Sequence, residues 1–251
     1  MATGQTLSPG PKGRLLKHTG VFLAFLPKIV TFRTHRVRGY LFRSRLIGEY
    51  LATSPKPGLH IGAAKNAMPG WLDTDLRPRR RDVLYLDVTE PFPFGDATFD
   101  YVFSEHLIEH IGYEEGRFML SECFRVLKPG GTIRIATPDL ERLMALVSPE
   151  KGEEEKAYIA WITDRFIPGA ASRSGAIVVN NAFYGFNHRF LYDRETLAGL
   201  LEEVGFRDTS YHVPGESGDE HLRGIEAHGR SVNNEEMNRF ETMVIEAIRP
   251  R

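Results

Sequence analysis

An α/β domain, a mostly parallel sheet with helices on both faces, is what this 251-residue sequence predicts. Two features carry that prediction. From Leu59 onward, short apolar runs alternate with segments of helical periodicity. Several of those runs also end in an acid or a small residue, as strands do where such a sheet presents a ligand site at its carboxyl edge.

The elements follow in order. Leu59 to Gly62 reads as a strand ending at glycine, and Trp71 to Asp75 and Val83 to Asp87 as strands ending in an acid. Phe99 to Ser104 is a fourth. Met119, Cys123, Val126 and Leu127 then recur on one helical face, which Lys128-Pro129-Gly130-Gly131 stops. Thr132 to Ala136 is the fifth strand, and Asp139 is placed to cap the next helix. Residues 149–192 read as an insertion: an acidic stretch from Glu153, a helical face of Tyr158, Trp161 and Ile162, and a small-residue loop from Gly169 to Gly175 suited to a lid. The regular pattern resumes with Asp193 as a cap, Leu197, Leu200, Leu201 and Val204 on one face, and Gly205 as terminator. Strands near Thr209 to Val213 and at Thr242 to Ala247 bring the number to seven.

Ahead of this domain, assigned to residues 57–251, lies an extension of residues 1–56. Its first ten residues are polar with Gly and Pro and are expected to be disordered; residues 14–53 read as basic helical segments broken near Pro27. Residues 1–57 hold ten Lys or Arg and one acid, Glu49, near +9 in a chain whose net charge is −1. A basic arm on an acidic body fits docking to an anionic surface such as a membrane, packing on its own domain, or exchange between subunits of an oligomer. The apolar run Val21 to Leu26 is far short of the ~20 residues that span a bilayer and lacks a signal-type cleavage pattern, so it reads as a soluble or peripheral element. The lone Cys123 excludes an internal disulfide and fits a reducing, cytoplasmic setting.

A strand ending in glycine, followed by an acid at the end of the next, is the logic of a nucleotide-type site. The glycine lets a ligand approach the backbone, and the carboxylate accepts from a ribose diol. Gly62 and Asp75 fill those places, with Asp87 and the amide of Val88 positioned for an adenine ring. Neither G-x-G-x-x-G nor a Walker phosphate loop is present.

LHIGAAKNAMPGWLDTDL, LDVTEPFPFGDATFDYVFSEHLIEHI, RVLKPGGTIRIATPDL and NHRFLYDRETLAGLLEEVGF resemble the class I, seven-stranded S-adenosylmethionine-dependent methyltransferases. The nearest likeness is to small bacterial members associated with surface-polysaccharide synthesis. It covers residues 58–206, and HLRGIEAHGR extends it more weakly. The resemblance implies a three-layer Rossmann-like fold with strand order 3-2-1-4-5-7-6 and strand 7 antiparallel. It implies Gly62 and Ala63 under the methionine part of S-adenosylmethionine, Asp75 with Leu76 at the ribose, Asp87 and Val88 at the adenine, and Ser104 to His106 along the sulfonium. The pattern is broken at Ala64, where a second glycine is usual. Alanine there is expected to hold a negative φ or to shift the loop.

For a hydroxyl acceptor the protein must remove a proton, and histidine suits that task. His106 is the first choice as base or acceptor-orienting group and His188 the second, with Glu105 orienting a histidine or binding a substrate hydroxyl. Glu109-His110 reads as holding a helix in place, and Asn180 and Asn181 suit either sugar hydroxyls or turns. The dispersed histidines give no metal site; His106 and His110, four apart, lack a third ligand. The expected function is O-methylation of a carbohydrate or other small hydroxyl acceptor. The alternatives are methylation of a quinone- or polyketide-type metabolite and a non-catalytic interaction module, the last prompted by Ala64. Nucleic acid is disfavoured as a partner, because Ser104-Glu105-His106 stands where amino-group methylases carry an Asn/Asp-Pro-Pro-aromatic signature.

Overall fold

The computed structural model of the chain describes residue 37 and residues 40–251. The expectations for residues 1–10 and for Val21 to Leu26 fall outside the described residues. Among the described residues no helix is long and apolar enough to cross a membrane.

Seven strands form one sheet: β1 (Gly58–Ile61), β2 (Trp71–Asp75), β3 (Leu84–Tyr85), β4 (Phe99–Glu105), β5 (Leu127–Pro138), β6 (Arg207–His212) and β7 (Thr242–Ile248). Their order is β3-β2-β1-β4-β5-β7-β6. β1 to β5 pair in parallel, whereas β7 runs antiparallel to both β5 and β6. This is the Rossmann-like methyltransferase order that the resemblance implies.

Helices α1 (Arg43–Thr53), α2 (Tyr113–Val126) and α6 (Arg194–Val204) flank the sheet. Met119, Cys123 and Val126 of α2 and Leu197, Leu200 and Leu201 of α6 are buried in one core with the strand residues, as their spacing predicts. Leu120 joins them, and Leu127, expected on the same helical face, opens β5 instead. The end of the basic extension joins that core. Leu46, Ile47, Tyr50 and Leu51 of α1 pack against it, and the Tyr50 hydroxyl donates to the Gly58 carbonyl at 2.9 Å. This part of the arm therefore packs on its own domain.

Three local readings change. β3 stops at Tyr85, because Asp87 accepts from the Thr89 backbone N–H at 3.1 Å and the Thr89 hydroxyl at 2.7 Å, forming a side-chain-directed turn that competes with strand pairing. β5 begins at Leu127, directly after α2, so Lys128-Pro129-Gly130-Gly131 belongs to the strand as well as ending the helix. The insertion is more helical than its sequence suggests. α3 (Leu140–Ala145) leads into α4 (Glu153–Phe166) and then α5 (Gly175–Tyr184), which contains Asn180 and Asn181. The Asn180 amide donates to the Ala176 carbonyl one turn back, so the pair belongs to a helix and not to a sugar-binding loop. Gly175 is required at the head of α5, where a Cβ would lie 1.8 Å from the Leu146 carbonyl oxygen.

The insertion builds a second core beyond the carboxyl end of β5. Leu143, Leu146, Tyr158, Ile159, Ile162, Val178 and Val179 meet Met237 and Phe240 of α8 (Glu235–Glu241). Short helix α7 (His228–Val232) precedes α8.

Arg134, in the middle of β5 and with no solvent exposure, donates to Glu226 and to Glu246 of β7. Glu226 also accepts from the Gly215 backbone at 2.9 Å, so this cluster fastens the segment before α7 to the sheet. Removing one member strands the others as buried charges, typically at 3–5 kcal/mol. Arg134→Met is therefore expected to lower stability by about 3 kcal/mol or more in denaturant unfolding. Arg134→Met combined with Glu226→Gln and Glu246→Gln is expected to recover much of it; a single variant as stable as the parent would contradict the account.

Candidate active site

The carboxyl ends of β1, β2 and β4 and the turn after β3 bring together the residues that the sequence marks for a cofactor. Gly62 has φ +80, and a Cβ there would lie 2.4 Å from Leu107 Cδ1, so the residue after His106 closes over the β1 loop only because position 62 is glycine. Gly62 and Ala63 both donate their backbone N–H to the Thr74 carbonyl at 2.9 Å. Asp75 accepts from Ala64 N–H at 2.9 Å and from Arg77 N–H at 2.5 Å, which leaves each oxygen a further lone pair. Leu76 beside it is exposed and Val88 buried. The Ser104 hydroxyl is buried without a hydrogen-bond partner.

Ala64 departs from expectation. Its φ is +46, so the loop keeps the left-handed geometry natural to glycine and the alanine bears the strain, roughly 1–2 kcal/mol. The N–H bond to Asp75 holds it there. His106 (φ +46) and Asn187 (φ +63) are held in the same region of backbone space, so strain gathers around this edge of the sheet.

Beside the cofactor end, a cavity of about 300 Å³ opens between the strand ends, the insertion and α7. One wall is Trp161, Ile162 and Phe166 of α4 with Phe186 after α5. The other is polar: His106, Glu109 and His110 after β4, His188 after α5, His228 of α7 and Glu241 of α8.

The polar wall is internally wired. His106 Nδ1 lies 3.1 Å from Glu109 Oε1, and its Nε2 lies 3.2 Å from the Thr242 hydroxyl. That hydroxyl donates to Asn238 Oδ1 at 3.1 Å, so toward His106 its oxygen accepts. Both ring nitrogens thus face acceptors, which calls for the doubly protonated imidazolium. Burial opposes that charge, but Glu109, and then Glu241 and Glu105, outweigh it and carry the His106 pKa up to about 9. His228 stacks on His106 with ring centroids 3.8 Å apart. Burial and then the His106 charge push its pKa down to about 3, so of the stacked pair His106 holds the proton. Burial also lowers the pKa of His188, whose Nδ1 is buried without a hydrogen-bond partner. The Tyr158 hydroxyl donates to Glu241, which stands 3.6 Å from His228 Nε2.

His106 and His188 therefore share one cavity, though 82 residues separate them in the sequence. His106 does not fit the role of base, since both nitrogens already carry hydrogens; its charge is what it offers. Glu105 hydrogen-bonds the side chain of neither His106 nor His188. Its carboxylate accepts from the Ala227 and His228 backbone N–H groups at 2.9–3.0 Å and so fastens the start of α7 over the site. The histidine-orienting acid is Glu109, which also holds structure by accepting from the Thr137 hydroxyl at 2.9 Å. His228, Glu241, Phe166 and Phe186 are absent from the sequence reading; only the weak likeness of HLRGIEAHGR pointed toward His228.

A methyltransferase-domain family model matches residues 64–135. That match is to a methyltransferase domain, and the sheet order and strand-end residues are those that the resemblance to class I, S-adenosylmethionine-dependent methyltransferases implies. The glycine cradle, the strand-end carboxylates and the orphaned Ser104 hydroxyl fit that cofactor. Among curated proteins the chain is similar to ubiquinone/menaquinone biosynthesis C-methyltransferases. It is 28% identical to that of Erwinia tasmaniensis over 178 residues, covering 67% of this chain and 62% of the relative. To that of Marinomonas sp. it is 29% identical over 126 residues, covering 49% and 44%. The chain thus spans less than two thirds of either relative. A methyltransferase structure from Archaeoglobus fulgidus aligns over 91% of this chain and 99% of its own at 18% identity and a TM-score of 0.46, too loose to bear on function.

Two outcomes are expected of the cofactor end. Asp75→Ala should weaken S-adenosylhomocysteine binding at least tenfold in calorimetric titration, because the ribose diol loses its acceptor. Ala64→Gly should raise the thermal midpoint, by up to ~1 kcal/mol in stability, as relief of left-handed strain exceeds the entropy of the added glycine. A lower midpoint would mean that the alanine methyl packs usefully.

Proposed function

We propose that the protein methylates a small, hydroxylated, largely apolar acceptor of quinone or polyketide type, at a ring carbon activated by a neighbouring oxygen. One observation carries this reading: Trp161, Phe166 and Phe186 line the same cavity as four histidines, His106, His110, His188 and His228. A flat ring is held by the first set, and its oxygens meet the second. The volume of about 300 Å³ lies at the small end for ligand pockets and suits one ring system better than an oligosaccharide. The C-methyltransferase names of the curated relatives support the same chemistry.

S-adenosylmethionine, which Gly62, Ala63, Asp75, Leu76, Asp87, Val88 and Ser104 would hold, would supply an electrophilic methyl group. The rest falls to this chain. The aromatic wall orients the ring and excludes water. An acceptor hydroxyl gives its proton to a neutral histidine of the polar lining, and the resulting oxyanion feeds charge into the adjoining carbon while the buried His106 cation limits the cost of forming it. As that carbon takes the methyl and the thioether leaves with the bonding pair, the ring hydrogen departs as a proton and aromaticity returns. Glu105 acts indirectly, by keeping His228 in the wall. Carbohydrate O-methylation has weaker support, since neither Asn180 nor Asn181 lines the cavity.

Methyl-labelled S-adenosylmethionine offered with hydroxylated quinols and naphthols, and in parallel with nucleotide sugars, tests the reading by the position of the label. Carbon-bound label in the ring acceptors is expected, with His106→Gln lowering kcat about 10²-fold. Label on sugars alone would overturn it. No transfer to any acceptor with cofactor binding intact would favour the interaction-module alternative.

A further inference from the structure

The geometry points to a divalent transition-metal site formed by Glu109, His110 and His188 in the wall of the same cavity. Each offers one ligand atom, and the three atoms lie within 4.8 Å of one another. Small side-chain rotations bring such a set around one ion at bond lengths of about 2.0–2.2 Å.

Three observations set this trio apart from a mere cluster. The His110 Nδ1 lies 3.3 Å from the Asn187 carbonyl, which fixes its hydrogen there and leaves Nε2 as the ligand, the arrangement that orients metal-binding histidines elsewhere. The His188 Nδ1 is buried with no hydrogen-bond partner, so a lone pair there has no other use. The ligands are also preorganised: the Glu109 carbonyl accepts from Arg189 N–H at 2.7 Å and Phe190 N–H at 3.2 Å, stapling the residues after His188 to the Glu109 turn. The His110 and His188 rings meet edge to face at 63°, so their nitrogens are able to converge.

A second trio, His106, His228 and Glu241, also lies within reach of one point but fits less well. Its imidazoles stack at 27°, which sets their lone pairs side by side, and both His106 nitrogens are engaged. In the favoured trio each Glu109 oxygen has one protein partner and keeps a lone pair. Two imidazoles and one carboxylate suit Zn²⁺, Co²⁺, Fe²⁺ or Mn²⁺ over Mg²⁺ or Ca²⁺, and three protein ligands leave a coordination position toward the cavity. The ion's use, holding the acceptor oxygen as its anion, rests on the proposed function; the site itself does not.

The untagged full chain, stripped with chelator and dialysed free of it, is titrated with ZnCl2 in a calorimeter and with CoCl2 by visible absorption. One ion per chain is expected, at micromolar affinity or tighter, with the strong Co²⁺ bands of four- or five-fold coordination. His110→Ala and His188→Ala should each weaken binding at least tenfold, while His221→Ala, outside the cavity, leaves it unchanged. S-adenosylhomocysteine titration of the same samples confirms that the variants are folded. No stoichiometric binding, or binding retained in both variants, overturns the site. Stoichiometric Zn²⁺ on a chain that fails to methylate any quinol would leave the site standing and count against the acceptor reading.

Discussion

A carboxylate without solvent exposure, Glu109, holds the catalytic side of the molecule together. A buried charge is tolerated only where partners replace its hydration. Here they come from every direction: His106 at the end of β4, Thr137 at the end of β5 and, through the residue's own carbonyl, the backbone at Arg189 and Phe190 where the insertion returns to the domain. Meeting the needs of this one group fixes how the insertion leans on the sheet. It also keeps His106 charged and gives the cavity its polar wall.

The molecule divides its work along the sequence. In the proposed function, residues 58–104 make the cofactor half from strand ends of one continuous sheet, whose geometry the β1–β2 and β1–β4 pairing dictates. The acceptor half draws on α4, the chain after α5, α7 and α8, elements that meet only in the second core and across the strand ends. Rigid strands present the common reagent, and grafted helices shape the pocket for its partner.

How much was legible follows from that division. Strand ends are local features, so Gly62, Asp75 and Asp87 could be picked out from short runs, and the resemblance supplied the order of the strands. The cavity wall is a product of tertiary structure. His228 and Glu241 stand more than 120 residues from His106, and no local spacing joins them. Protonation was hidden for the same reason: His106 reads as a base until Thr242 and Asn238 are seen to leave it no lone pair. Asn180 and Asn181 misled because composition resembles a loop where helix α5 runs, and Ala64 because tertiary contacts can hold an alanine in a glycine's conformation. Nothing near Glu105 in sequence shows the Ala227 and His228 amides that its carboxylate accepts from.

The antiparallel entry of β7 between β5 and β6 has a consequence for how the chain assembles. β6 emerges from the ribosome before β7, yet among the described residues β7 is its only neighbour in the sheet, and β5 must wait across more than a hundred residues for the same strand. Until β7 slides in, two strand edges lie open to any other chain, and contacts so distant in sequence form slowly. Vulnerability to aggregation is thus concentrated in the interval between synthesis of residue 212 and residue 248.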